Sequence, residues 1–179
     1  MPIPPPASGL TLIELLVVLA LGGMLLAVAV PGYARWIAAY QVRNHAEQLA
    51  GSLRLARSEA LKRGLRVNLC PAPTGGQCAA AAGWSAGWLV YVDANRNGVA
   101  DPGEPVLREE RPSAPSVRVL ANRPVADYVS FTPLGQARLV AGGLQMGTLT
   151  VCRPGHAAIK VVLANSGRVR LESASEGCT

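Results

Sequence analysis

One apolar run near the N-terminus constrains the fold of this 179-residue chain more than any other feature. It extends over 21 residues from Leu10 to Val30, and its one charged residue is Glu14. As a helix it would be about 31 Å long, which matches the hydrocarbon thickness of a bilayer. The run is also longer than the apolar core of an ordinary signal peptide. We therefore predict a membrane-spanning helix that the mature protein retains.

The acidic residue Glu14 is costly in hydrocarbon unless a positive group neutralises it. In one interpretation, its carboxylate reaches from the helix end to the aqueous interface. In the other, the chain is cut between Gly9 and Leu10, so that Glu14 becomes the fifth mature residue. It would then meet the new α-amino group of a neighbouring copy in a stack of such helices. The residues alone leave both interpretations open.

The stretch "GLTLIELLVV" resembles the class III leader and N-terminal helix of type IV pilins and type II secretion pseudopilins. In that family a prepilin peptidase cuts after the glycine, here Gly9, and methylates the new N-terminus, here Leu10. The resemblance implies a leader at 1–9, subunit docking through Glu14, and a helix kink at Pro31. This chain departs from the family pattern in having Leu where Phe is usual and in lacking Lys or Arg in its leader.

Beyond Pro31 the apolar spacing stays helical. Residues recur at intervals of four and three along one stripe, which predicts an amphipathic helix over 31–64 that docks on a globular head. The same spacing is compatible with a coiled coil, but small Ala residues in the stripe favour docking on a sheet. Gly64 is a plausible C-cap, so the helix should end near Arg63. The stripe comprises Val42, Ala46, Leu49, Leu53, Ala56 and Ala60.

From Leu65 onward the apolar pattern changes to period two, in short runs separated by Gly, Pro and Asn turns. This pattern predicts a mostly antiparallel β-sheet head over 65–179. The segments "LARSEALKRGLRVNLCP" and "GWLVYVDANRNGVADPGE" resemble the GspH/FimT family of minor pilins and pseudopilins. The expected fold is therefore α+β and type IV pilin-like, with a long N-terminal helix, membrane-spanning over 10–30, packed on the β-rich head.

Four cysteines follow the apolar run, on the side that would face an oxidising periplasm. Three disulfide pairings are possible, and we favour Cys70 with Cys78, which closes a short Gly-rich loop, and Cys152 with Cys178, which fastens the C-terminal tail. Zinc is the weaker alternative, because no C-x-x-C is present and the two histidines are scattered.

The stretch "DANRNGVADPGE" fits the calcium-loop template. The predicted flanking elements are strands rather than helices, and Asn and Gly also suit hairpin turns. A hairpin loop without cofactor is therefore our main interpretation, and a calcium ion is the alternative. The ligands of that ion would be Asp93, Asn95, Asn97, Asp101 and Glu104.

Near the C-terminus, "NSGRVRLE" places Arg168 and Arg170 on one face of a strand, about 7 Å apart. Two guanidinium groups at this spacing can contact successive phosphates of a nucleic acid. The motif G-R-x-R, which begins at Gly167, resembles the DNA-contact motif of the FimT branch, which supports DNA uptake in natural transformation. Arginine on a solvent-exposed strand is also ordinary, and Glu172 shares that face. Further basic residues that would widen the patch are Arg138, Arg153 and Lys160.

The two histidines lie outside known catalytic motifs, and the sequence contains no P-loop. We therefore expect no enzyme. The net charge is +6, with 15 of the 17 cationic residues Arg, which suits phosphate binding but also follows from codon usage.

Two functions fit the residues. The first is a FimT-like minor pilin that binds double-stranded DNA for uptake. The second is a GspH-like pseudopilin of a type II secretion system, or a minor pilin without nucleic-acid binding. In both, the family resemblance implies a single-pass protein of the bacterial inner membrane with a periplasmic head. The prepilin peptidase and other pilin subunits would be its partners, and the chain would then enter a pilus or pseudopilus.

Overall fold

The computed structural model describes residues 11–73, 76–111, 114–175 and 177–178. The predicted processing site at Gly9 and Leu10 lies outside the described residues. The chain forms two compact units, Met1–Ile37 and Ala38–Thr179. The described residues form one helix, α1 (Leu12–Arg63), three short 3₁₀ turns, and the strands β1 (Arg66–Pro71), β2 (Trp88–Asp93), β3 (Val106–Glu110), β4 (Arg118–Ala121), β5 (Val129–Phe131), β6 (Gly147–Cys152), β7 (Ala158–Leu163) and β8 (Val169–Ala174).

The helix within the first unit carries exposed apolar side chains on all sides, such as Leu12, Leu25 and Val28. Among the described residues, α1 is long and apolar enough to cross a membrane. Pro31 lies inside the helix, where its missing N–H removes one backbone hydrogen bond. The helix nevertheless continues beyond it, and the Arg35 Nε donates to the Pro31 carbonyl at 3.4 Å.

The C-terminal end of α1 agrees with the predicted cap. Gly64 adopts a positive φ of 66°, and its N–H donates to the Ala60 carbonyl at 3.0 Å. This conformation is easiest for glycine and satisfies one of the last free carbonyls of a helix. The helix therefore ends at Arg63, as the sequence predicts.

Two four-stranded antiparallel sheets form the second unit together with the later part of α1. The strand orders are β3-β2-β1-β5 and β4-β6-β7-β8, so β8 is an edge strand. Its register places Leu163 opposite Val169 and Ala158 opposite Ala174. The mostly antiparallel head predicted from the period-two pattern is confirmed.

The core of the second unit lies between the apolar stripe of α1 and both sheets. All six stripe residues are buried, and they share one cluster with side chains such as Leu69, Phe131 and Leu149. Burial of each leucine contributes roughly 2 kcal/mol to the free energy of folding. A polar contact joins the same surfaces, because the Trp88 Nε1 donates to the Ser52 hydroxyl at 2.9 Å. The α+β fold therefore forms as the sequence predicts.

Two disulfides close loops in the head. Cys70 bonds Cys78 across eight residues, and Cys152 bonds Cys178 across 26. This is the pairing favoured from the sequence. Because all four sulfurs are bonded, none is left as a zinc ligand. A bridge of this loop length stabilises a domain by about 3 kcal/mol, and the second holds the C-terminal tail at the end of β6.

Candidate functional site

Glu14, the acidic residue of the apolar run, lies in the first turn of α1. Thr11 precedes the helix, and its hydroxyl accepts the Glu14 backbone N–H at 3.3 Å. A Thr followed three residues later by Glu is the sequence of a capping box, which satisfies free N–H groups at a helix start. The negative charge is also favourable at this end of the helix dipole. These contacts give Glu14 a local role at the start of the helix. Its role in subunit docking stays a prediction.

The turn that precedes β8 explains the glycine of the G-R-x-R motif. Gly167 has a φ of 78°, its N–H donates to the Ala164 carbonyl at 2.9 Å, and the Ala164 N–H donates to the Arg168 carbonyl at 3.0 Å. A side chain at Gly167 would overlap the carbonyl oxygen of Gly135 and lie 3.0 Å from the Arg57 Nε. Glycine is therefore required here by both conformation and space. Its role is to shape the turn.

The two predicted arginines, Arg168 and Arg170, are exposed on alternate positions while Val169 and Leu171 are partly buried against the core. They nevertheless line different cavities. Arg168 lines one of about 380 Å³ between β8 and α1, whereas Arg170 lines a depression beside β6 and β7. The Arg170 Nε also pairs with the Glu172 carboxylate at 2.5 Å. Arg168 and Arg170 are therefore neighbours in different electrostatic surroundings.

The wider basic patch expected from the sequence is divided in the structure. Arg153 follows β6 and donates to the Gln41 side chain at 2.8 Å. Gln41 lies about 20 Å along α1 from Arg54, which lines the Arg168 cavity. Arg153 is therefore at the opposite end of the sheet from Arg168, because one strand length separates the two turns.

The other two predicted basic residues also differ from Arg168 in their surroundings. Lys160 on β7 lies opposite Glu172 of β8 in the strand register. Arg138 is partly buried, and its Nε donates to the Gln136 side chain at 3.3 Å. None of the three residues Arg138, Arg153 and Lys160 lines the Arg168 cavity among the residues that the structure describes.

Sequence reasoning missed two arginines of the helix, Arg54 and Arg57, which line the cavity together with Arg168. Their i,i+3 spacing places them on one side of a helix, and this signal was available from the sequence. Which strand end that side would meet depends on the packing of α1 against the sheet. The cluster therefore emerges only in the folded head.

The predicted calcium loop connects β2 to β3 and is held by its own hydrogen bonds. Asp93 is fully buried and accepts from the Asn68 Nδ2 at 2.7 Å and from the backbone N–H groups of Asn97 and Gly98 at 3.0 Å. Glu104 accepts from the Ala94 N–H at 2.8 Å. The carboxylate oxygens therefore already bind N–H donors.

Asp101 shows the same pattern in the loop. It accepts from the side-chain amides of Asn95 at 2.8 Å and Asn97 at 2.7 Å, and these hydrogen bonds lower the pKa of Asp101. No group of three His, Cys, Asp or Glu residues is placed to hold a metal ion in the described part of the chain. The geometry is that of a hairpin loop, and the calcium alternative remains a prediction.

Comparison with known proteins identifies related families. The profile of the family described as "Type II transport protein GspH" matches residues 45–167, which include most of the second unit and the turn before β8. The profile described as "Prokaryotic N-terminal methylation motif" matches residues 5–30. The apolar helix and this motif indicate membrane anchoring, processing by a prepilin peptidase and assembly with other pilin subunits.

Individual relatives agree with this assignment. The chain is 33% identical over 164 residues to the Pilin-like protein PilA1 of Thermus thermophilus, covering 92% of this chain and 97% of the relative. Two crystal forms of the type IV minor pilin FimU of Pseudomonas aeruginosa PAO1 share its fold at 21% identity. The P21 form has a TM-score of 0.57 and covers 78% of this chain and 94% of FimU. The P65 form has a TM-score of 0.54, with 76% and 97% covered. This chain therefore belongs to the GspH family of pilin-like proteins.

Proposed function

We propose that this chain is a minor type IV pilin that binds double-stranded DNA for uptake in natural transformation. The observation that carries the proposal is the position of Arg168. It is exposed at the start of an edge strand, beside two further arginines of α1, with no carboxylate among the described residues that line their cavity. Phosphate oxygens are the natural partners of such forked donors.

The proposed cellular role follows from the two units. The prepilin peptidase would cut between Gly9 and Leu10, and the apolar part of α1 would hold the subunit in the inner membrane with its head in the periplasm. Glu14 would then meet the α-amino group of a neighbouring subunit during assembly. The chain would act through assembly and binding rather than catalysis.

The second candidate is a structural pseudopilin of type II secretion, or a minor pilin whose head contacts only other subunits. The ion pair between Arg170 and Glu172 favours this candidate, because a phosphate that binds Arg170 must compete with the Glu172 carboxylate. The exposed acidic and basic residues would then complement neighbouring subunits.

Binding of duplex DNA by the full-length protein in nonionic detergent tests the proposal. We would measure fluorescence anisotropy of a labelled duplex at several salt concentrations. The variant is Arg168→Ala/Arg170→Ala, and the control is Arg118→Ala/Arg123→Ala, which removes two exposed arginines elsewhere in the head. The proposal predicts salt-sensitive binding whose slope in log K against log salt falls by about 2 in the variant alone.

Two results would favour the structural candidate instead. One is the absence of binding by the unaltered protein at low salt. The other is equal weakening by the two double variants, which would indicate that net charge rather than the β8 turn attracts DNA.

A further inference from the structure

The groove between α1 and the turn before β8 gathers three guanidinium groups. We propose that this groove, defined by Arg54, Arg57 and Arg168, is a binding site for a single phosphate group. Where the phosphate belongs to a DNA backbone, the inference rests on the proposed function. It then adds Arg54 and Arg57 of α1 as the residues that anchor this phosphate.

The shape and lining of the groove suit a small anion. Its volume is about 380 Å³, and Leu61 and Val169 supply apolar surface beside the arginines. Apolar walls lower the local dielectric constant, which strengthens the attraction between a guanidinium and an anion. A phosphate with its hydration water fits this space.

Arg57 supplies the second, independent observation. Its Nε is buried and finds no hydrogen-bond acceptor among the residues that the structure describes. A buried donor without an acceptor is costly, and for a charged group the cost is larger. An anion in the groove would offset the charge of Arg57 in the bound state.

The remaining polar group of the groove cannot take the role of the arginines. The Ser58 hydroxyl donates its proton to the Leu55 carbonyl at 2.8 Å, so it presents an oxygen rather than a donor to an anion. The nearby acid, Glu59, pairs with Arg63 at 2.5 Å and does not line the groove. The hydrogen-bond donors and the positive charge of the groove are therefore supplied by Arg54, Arg57 and Arg168.

The glycine of the turn sets the distance between the two sides of the groove. A side chain at Gly167 would lie 3.0 Å from the Arg57 Nε, so its absence brings the turn close to the helix arginine. The turn thereby places Arg168 across the groove from Arg54 and Arg57. Gly167 thus fixes the geometry of the turn, and the three arginines supply the charge that would bind the anion.

The test uses two probes with the full-length protein in nonionic detergent. Inorganic pyrophosphate is titrated calorimetrically, and a labelled DNA duplex is titrated by anisotropy. The variants are Arg54→Gln, which changes an exposed residue, Arg57→Lys, which keeps the charge but loses the fork, and the double variant Arg54→Gln/Arg57→Gln. The control is Arg118→Gln/Arg123→Gln, and thermal unfolding of each variant verifies the fold.

The proposal predicts that pyrophosphate binds, and that the double variant weakens this binding by at least about tenfold while the control does not. Arg57→Lys should weaken it less than the double variant. DNA binding should lose a further salt-slope contribution of about 1 to 2 when Arg54 and Arg57 are changed.

The outcomes separate this inference from the proposed function. Pyrophosphate binding that depends on Arg54 and Arg57, without DNA binding, supports the phosphate site and overturns the DNA role. If the protein binds DNA, but pyrophosphate binding is absent or unchanged in Arg54→Gln/Arg57→Gln, the phosphate site is overturned and the DNA role stands. Absence of both kinds of binding overturns both.

Discussion

The imidazole of His45 lies edge to face with the indole of Trp88, with ring centroids 5.3 Å apart and an interplanar angle of 89°. His45 is buried, and neither of its ring nitrogens finds a hydrogen-bond partner among the described residues. Burial lowers the pKa of His45, while the charge of Glu110 opposes this shift more weakly. The histidine is therefore neutral in the folded head at neutral pH.

This contact predicts that acid destabilises the head. The folded pKa is below the unfolded value of about 6.5, so the unfolded chain binds more protons as pH falls below that value. The stabilisation is complete above about pH 6.5 and is lost as pH falls toward the folded pKa. Thermal unfolding at pH 7.5 and 5.5 measures the effect, and His45→Leu should reduce the difference between the two temperatures. A difference that His156→Leu reduces equally would contradict it.

Replacement of Gly167 by alanine should disrupt the turn before β8. Gly155→Ala is the matched control, because Gly155 has a nearly identical φ of 77° but no neighbouring atom within 4 Å of the place a Cβ would occupy. The control should cost about 1 kcal/mol from backbone strain alone. Gly167→Ala should cost at least about 2 kcal/mol, because the overlap with Gly135 is added. Chemical denaturation measures both, and equal costs would show that the turn relaxes freely.

Asp93 should be important for folding of the β2–β3 loop. Asp93→Ala removes an acceptor of the Gly98 N–H and one of two acceptors of the Asn68 amide and of the Asn97 N–H, so the loop loses hydrogen bonds to a buried carboxylate. We expect a loss of about 2 to 4 kcal/mol in the free energy of unfolding. Asp101→Ala, which removes an exposed acceptor, should cost less than about 1 kcal/mol. Urea denaturation measures both losses, and equal values would contradict the importance of burial at Asp93.

Calcium should leave this loop unchanged. The carboxylates of Asp93 and Glu104 already accept backbone N–H groups, so the loop is held in its conformation by its own hydrogen bonds. Thermal unfolding with millimolar calcium or with EDTA, in roughly physiological salt, should therefore give the same midpoint. A midpoint raised by calcium in the unaltered protein, but not in Asp101→Ala, would establish the alternative predicted from the sequence.

The assembly role of Glu14 can be separated from its capping role. Glu14→Ala removes the carboxylate, whereas Thr11→Ala removes the acceptor of the Glu14 N–H and leaves the carboxylate in place. Both variants should insert in the membrane, because the apolar run is unchanged. Sheared filaments should lack Glu14→Ala and retain Thr11→Ala. Equal loss of both variants from filaments would assign Glu14 to helix capping alone.

The elements of this protein were readable from local patterns. The apolar run, the four-and-three stripe from Val42 to Ala60 and the alternation along Val169 to Glu172 depend on the periodicities of helices and strands. Gly64 ends the helix because glycine, which has no Cβ, adopts a positive φ easily. These features concern residues that are near each other in the chain, so the sequence determined them by itself.

The arrangement of the basic residues was decided by tertiary structure. Arg54 and Arg57 reach Arg168 only because the helix docks beside the β8 turn, while Arg153 lies one strand length away. The requirement for glycine at 167 likewise comes from the carbonyl of Gly135, which is distant in sequence. Side chains far apart in the chain are brought together by packing of the core. Periodicity states which face of an element is buried, but only the folded head decides which two faces meet.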